Sequence, residues 1–275
     1  MALLKMDFYS DKLKRFTTVH VVLPNDTPDM MTAGNPEYAR PMKVLYLLHG
    51  FSGYSMDWLI GCGLQDLSVK YNLAMVLPSG DNSFYVDREA TGCAYGSFVG
   101  EELIQYITKT LHFPNKKEDT FVGGLSMGGF GAIRLALRYP DNYGKVFGLS
   151  SAMLIKQIEK MQPGEENPVA NYAYFRSVFG DLRQLEISEN NPLFLLKKLK
   201  EQNQPVPPIY MACGTEDFLL EDNRDFVRSL QEEAVDVEYH ESEGTHNWEF
   251  WNGYLEKAIQ WLLKKEGDND KTGCD

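Results

Sequence analysis

Cysteine is scarce in this chain, with four in 275 residues, at Cys62, Cys93, Cys213 and Cys274. None forms a Cys-x-x-Cys pair or stands beside a histidine at zinc-binding spacing, which excludes a disulfide framework and the common zinc modules. Free thiols in a cytoplasmic protein without a bound metal are the expectation. Basic residues are also in deficit: 27 Lys and Arg face 39 Asp and Glu, for a net charge of −12. Such a surface disfavours nucleic acid or an anionic membrane as the main partner. No stretch approaches the roughly 20 apolar residues that a membrane span needs. The start, Met1 to Asp7, meets the charge of Lys5 too soon to form the apolar core of a signal peptide. The glycine cluster from Gly123 to Gly131 lacks the Gly-Lys-Ser/Thr ending of a phosphate loop, and no dinucleotide Gly-x-Gly-x-x-Gly opens the chain. There is no internal repeat.

What is present is an ordinary globular composition, 43% hydrophobic and 24% charged, in a length that suits one large domain. Short apolar runs read as strands at Phe16 to Leu23, Lys43 to Leu48, Leu73 to Leu77, Thr120 to Gly123, Lys145 to Leu149, Pro208 to Cys213 and Val235 to Tyr239. Helical spacing recurs between them, over Phe98 to Leu111, Phe130 to Tyr139, Asn223 to Glu233 and about Trp248 to Lys265. Strands alternating with helices predict an α/β fold whose mostly parallel sheet is covered on both faces. The interval 154–207 breaks the rhythm with Pro163-Gly164, Asn167-Pro168 and an aromatic patch at Tyr172, Tyr174, Phe175 and Phe179. It reads as a lid-like insertion within a single domain, 1–275, and 267–275 as a flexible tail.

Gly124-Leu125-Ser126-Met127-Gly128 lies between a strand-like and a helix-like run, the setting of a nucleophile elbow. Side chains two residues either side of the serine would collide in so sharp a turn, and the glycines remove them. A serine hydroxyl is a weak nucleophile and needs a base. Of five histidines, His20, His112 and His240 read as structural or surface residues and His49 as a loop-shaping one. His246, in Gly244-Thr245-His246-Asn247-Trp248 after the last strand, opens on the same sheet edge as the elbow. The orienting carboxylate is expected between serine and histidine in chain order, at Asp217 with Glu216 as competitor. For an oxyanion, the N–H donors would be Met127 and a residue of His49-Gly50-Phe51-Ser52-Gly53, taken as Phe51 with Ser52 as alternative. Trp58, Tyr85 and Trp248 are candidate substrate contacts.

These pieces, together with Phe84-Tyr85-Val86-Asp87, Val178-Phe179-Gly180 and Cys213-Gly214-Thr215-Glu216-Asp217-Phe218, resemble the esterase D-like branch of the α/β-hydrolases over roughly residues 15 to 263. The likeness is greatest to bacterial tributyrin and acetyl esterases, relatives of S-formylglutathione hydrolases and feruloyl esterases. The resemblance implies a cofactor-independent serine carboxylesterase with Ser126, Asp217 and His246 as triad, acting on short acyl or aryl-acyl esters, including those of sugars. It also implies a small-molecule ester as partner and a homo-oligomer as an assembly to expect. The S-formylglutathione hydrolase branch carries Ser-Gly-Leu-Thr-Cys where this chain has His49 to Gly53, which lowers the thioesterase alternative. A non-catalytic binding module on the same fold is the remote one.

Overall fold

The computed structural model describes residues 2–264. Its sheet contains β1 (Ala2–Ser10), β2 (Arg15–Leu23), β3 (Lys43–Leu48), β4 (Leu73–Pro78), β5 (Thr120–Leu125), β6 (Lys145–Leu149), β7 (Ile209–Gly214) and β8 (Val237–Ser242). They lie in the order β1-β2-β4-β3-β5-β6-β7-β8, with β2 antiparallel to β1 and β4 and every later pairing parallel. The pleat divides each central strand between two apolar layers. In β3, Val44, Tyr46 and Leu48 join one and Leu45 and Leu47 the other. A strand buried on both faces must lie inside a covered sheet, which is why these runs read as continuously apolar.

The helices Leu103–Leu111, Met127–Arg138 and Leu220–Glu232 supply the first layer, and Leu64–Lys70 and Trp248–Leu263 the second. This is the α/β-hydrolase architecture. The seven expected strands are present, and the eighth is β1. Its Ala2, Leu4, Met6 and Phe8 turn toward the core while Leu3, Lys5, Asp7 and Tyr9 face out, the alternation of an edge strand. Weighing those residues only against a signal peptide leaves the strand unread. The last strand begins at Val237 rather than Val235, because Ala234 takes φ +50° and the Val235 N–H still bonds back to Leu230.

The 154–207 interval joins β6 to β7 and carries the helices Tyr172–Phe179 and Pro192–Glu201, started by the side chains of Asn171 and Asn191. Phe175 and Phe179 pack on Phe84, and Phe179 also on Phe130 of the helix after Ser126. The insertion thus adds to the main core instead of building one of its own. Buried Arg134, on the helix after Ser126, ties it down by donating to the Glu189 carbonyl, the Asn190 side chain and the Tyr85 carbonyl. The tail at 267–275 lies outside the described residues. Among the described residues, no helix is long and apolar enough to cross a membrane.

Candidate active site

Ser126 links the end of β5 to the start of the helix Met127–Arg138, with φ +54° and ψ −120°. That conformation costs a non-glycine residue about 1–3 kcal/mol and persists only where its surroundings enforce it. Here the Ser126 N–H donates to Leu149 on β6 at 2.9 Å, and its carbonyl accepts from Phe130 and Ala152. The flanking glycines are required by contact. A Cβ on Gly124 would lie 2.8 Å from the Leu48 carbonyl oxygen and also strike the Gly128 backbone, and one on Gly128 would lie 2.7 Å from the His49 carbonyl oxygen. The turn is therefore wedged between the exits of β3 and β6.

His246 Nε2 stands 3.0 Å from Ser126 Oγ, and Nδ1 stands 2.8 Å from Asp217 Oδ2. A carboxylate only accepts, so Nδ1 carries the proton and Nε2 presents its lone pair to the serine hydroxyl. The helix Trp248–Leu263 fixes this loop, because the Asn247 side chain accepts from the Phe250 N–H at 3.1 Å. The Asp217 carboxylate also accepts the Leu219 N–H at 2.9 Å and meets the Ser150 hydroxyl. Burial alone would raise its pKa. The His246 ring, the Leu219 N–H and Ser150 outweigh that penalty and hold it below the ordinary 3.8. Glu216, the competitor, bonds instead within its own loop: it accepts from the Gly244 N–H at 2.6 Å and from the Thr215 hydroxyl at 2.8 Å.

The loop after β3 presents Phe51 toward the same edge. The Ser52 N–H, the alternative donor, is taken by Asn82 Oδ1 at 2.7 Å. The N–H groups of Phe51 and Met127 have no acceptor among the described residues. Buried His49 fixes the start of this loop. Its Nδ1–H donates to the Gly50 carbonyl and its Nε2 accepts the Gly80 N–H, each at 2.8 Å. Burial lowers its pKa, so the ring stays neutral, as both bonds require.

Two expected substrate contacts are corrected here. Trp58 and Tyr85 are 1% and 0% exposed, so neither presents surface to a ligand. Their polar tips are spent on the loop instead: Trp58 Nε1 donates to the Leu48 carbonyl at 3.1 Å and the Tyr85 hydroxyl to the His49 carbonyl at 3.0 Å. They buttress two successive peptides at the exit of β3, a role a buried Trp or Tyr takes because its N–H or O–H needs a partner. Trp248 is half-buried, edge-on to Trp58 and Trp251.

Three residues escaped the sequence reading. Ser150, at the exit of β6, receives the indole N–H of Trp251 at 3.1 Å and braces Asp217. Asn82, in the polar turn after β4, holds the Phe51 loop. Phe218 lies against the His246 ring. The first two had a legible signal, a polar residue just beyond a strand's C-terminal end. Among the described residues no cluster of three or more His, Cys, Asp or Glu side chains is placed to hold a metal ion. Cys62, Cys93 and Cys213 are free thiols.

Comparison with known proteins identifies the family and the fold. The Esterase family model, described as "Putative esterase", matches residues 10–262. An acetyl esterase of Caldicellulosiruptor saccharolyticus is 45% identical over 264 residues, spanning 96% of this chain and 99% of its own. The solved structure of FphF, a fluorophosphonate-binding serine hydrolase of Staphylococcus aureus, superposes with a TM-score of 0.82 at 25% identity, over 96% of this chain and 99% of that one. The S-formylglutathione hydrolase FrmB of the same organism reaches 0.79 at 24% identity, over 96% and 99% of the two chains, a likeness of fold.

Proposed function

The chain belongs to the Esterase family and is a carboxylic ester hydrolase, and on that premise we propose that it cleaves acetyl to butyryl esters through Ser126, His246 and Asp217. The observation that carries the reading is the unbroken chain from Ser126 Oγ through both nitrogens of His246 to Asp217. In this mechanism His246 Nε2 takes the serine proton as Oγ attacks the ester carbonyl, and Asp217 stabilises the imidazolium. The N–H groups of Phe51 and Met127 receive the oxyanion. A single such donor is typically worth about 100- to 1000-fold in rate. His246 then passes its proton to the departing alkoxide, leaving an acyl-Ser126 ester. Water, deprotonated by the same ring, attacks that ester, and the acid leaves.

The insertion at 154–207 acts in this reading as a roof over the site. Tyr174 supports it, standing edge-on to Phe51 at 5.3 Å and donating its hydroxyl to the Asn82 carbonyl at 2.8 Å. Short acyl chains are supported by the packing behind the elbow. Phe84, Phe130, Phe175 and Phe179 pack there, with Phe84 and Phe179 at 5.3 Å and Phe130 and Phe179 at 6.0 Å between ring centroids. A long acyl chain would have to displace them, and a packed aromatic costs about 3–5 kcal/mol to remove.

A series of p-nitrophenyl acetate, butyrate and octanoate, with methyl ferulate and S-formylglutathione beside it, tests the substrate class. We expect kcat/KM for octanoate to fall below that for acetate by about 100-fold or more, given that displacement cost. Equal turnover of octanoate and acetate would refute the short-chain reading. Faster turnover of the ferulate or the thioester would transfer the assignment to that class.

A further inference from the structure

Asp217 and Phe218 are neighbours in sequence whose side chains part company. The Asp217 side chain is wholly buried, whereas Phe218 is 51% exposed. The Phe218 ring lies 4.8 Å from the His246 ring, tilted by 53°. The imidazole also stands perpendicular to Trp251 at 5.0 Å, a buried ring already tied to Ser150. The base thus has one aromatic neighbour that belongs to the core and one that faces solvent. Two other exposed aromatics, Tyr9 and Phe16, have a ready explanation as surface packing, since they meet edge to face across the β1–β2 hairpin.

The chemistry fixes which half of a substrate would pass Phe218. During attack the carbonyl oxygen turns toward Phe51 and Met127, while the ester oxygen must come within hydrogen-bond reach of His246 Nε2 to be protonated. The alcohol half therefore lies on the His246 side, and the acyl half lies away from it. A half-exposed phenyl ring touching the imidazole is placed to be covered by that alcohol. We propose that Phe218 is a specificity-determining wall for the leaving group, which favours esters of aromatic and other bulky apolar alcohols over those of small ones. This rests on the triad reading above. Burial of a phenyl face against an aromatic leaving group raises selectivity by about five- to ten-fold.

The test compares kcat/KM for benzyl acetate, ethyl acetate and benzyl butyrate in the wild-type protein, Phe218→Ala and Phe218→Tyr. Phe218→Ala is expected to lower the benzyl-to-ethyl ratio about five- to ten-fold while the acetate-to-butyrate ratio stays within about two-fold. Phe218→Tyr, which keeps the ring, is expected to preserve both ratios. An equal loss on benzyl and ethyl acetate in Phe218→Ala would mean that the ring only props His246, and a changed acetate-to-butyrate ratio would put it on the acyl side. Either result overturns the proposal while the triad stands. A wild-type protein that turns over none of these esters overturns the wall, and one that is inactive on p-nitrophenyl acetate, methyl ferulate and S-formylglutathione as well overturns the triad reading with it.

Discussion

Replacing Ser126 by alanine is expected to lower kcat for p-nitrophenyl acetate roughly a million-fold, the scale of losing the nucleophile from a cooperating serine triad. What remains should be the faint catalysis of a binding site with its oxyanion donors in place. The loss must be chemical and not structural, and the geometry provides the control. Ser126 is held at φ +54° by the Leu149, Phe130 and Ala152 backbone bonds, none of which uses the hydroxyl. Alanine has the same Cβ and suffers the same strain, so its melting temperature should match the wild type. Ser126→Gly should be as inactive yet more stable, because glycine takes positive φ without the cost of about 1–3 kcal/mol. A melting-temperature series beside the kinetic one checks both statements. An alanine variant that keeps even a tenth of wild-type kcat, roughly 1.4 kcal/mol of lost stabilisation, would be far too active for this mechanism.

Asp217→Asn is the second large effect, with kcat expected to fall about 10,000-fold at nearly unchanged KM. The cause is the tautomer. An asparagine amide can donate to Nδ1, which moves the imidazole proton to Nε2, where it faces Ser126 and can no longer accept. The same substitution has a signature in stability against pH. The Asp217 pKa is lowered below 3.8 in the folded protein, because His246, Leu219 and Ser150 outweigh the penalty of burial. Its contribution is therefore present above the unfolded value and lost as pH falls through the folded one. Melts from about pH 7 to pH 2 should show the wild type losing a component of stability at the acid end that Asp217→Asn lacks. Identical acid limbs would show that the carboxylate is not stabilised as its contacts require.

The sheet core and the elbow were legible in the sequence because each follows from local pattern. Continuous apolar runs mark strands buried on both faces, and Gly124 and Gly128 mark a turn too tight for side chains. The chain order of Ser126, Asp217 and His246 after β5, β7 and β8 could be read for the same reason, since a parallel sheet opens its C-terminal ends on one edge. What could not be read is which groups on that edge touch each other. Glu216 and Asp217 are equivalent in sequence, and they are separated only by the backbone of the Gly244 loop, which captures one and leaves the other to His246. Trp58 and Tyr85 lie beside the site in the chain, yet their hydrogen bonds turn them inward to Leu48 and His49. The choice of Phe51 over Ser52 likewise depends on Asn82, thirty residues downstream. β1 was missed for a different reason: in an edge strand Lys5 and Asp7 on the outer face interrupt the continuous apolar run by which the buried strands were recognised.

Fluorophosphonate labelling of the intact protein, followed by mapping of the modified peptide, decides whether Ser126 is a base-activated nucleophile. One label per chain on Ser126 is expected, with labelling abolished in Ser126→Ala and slowed by orders of magnitude in His246→Ala. Labelling at another serine, or equal labelling with and without His246, would contradict the triad and the hydrolytic mechanism built on it.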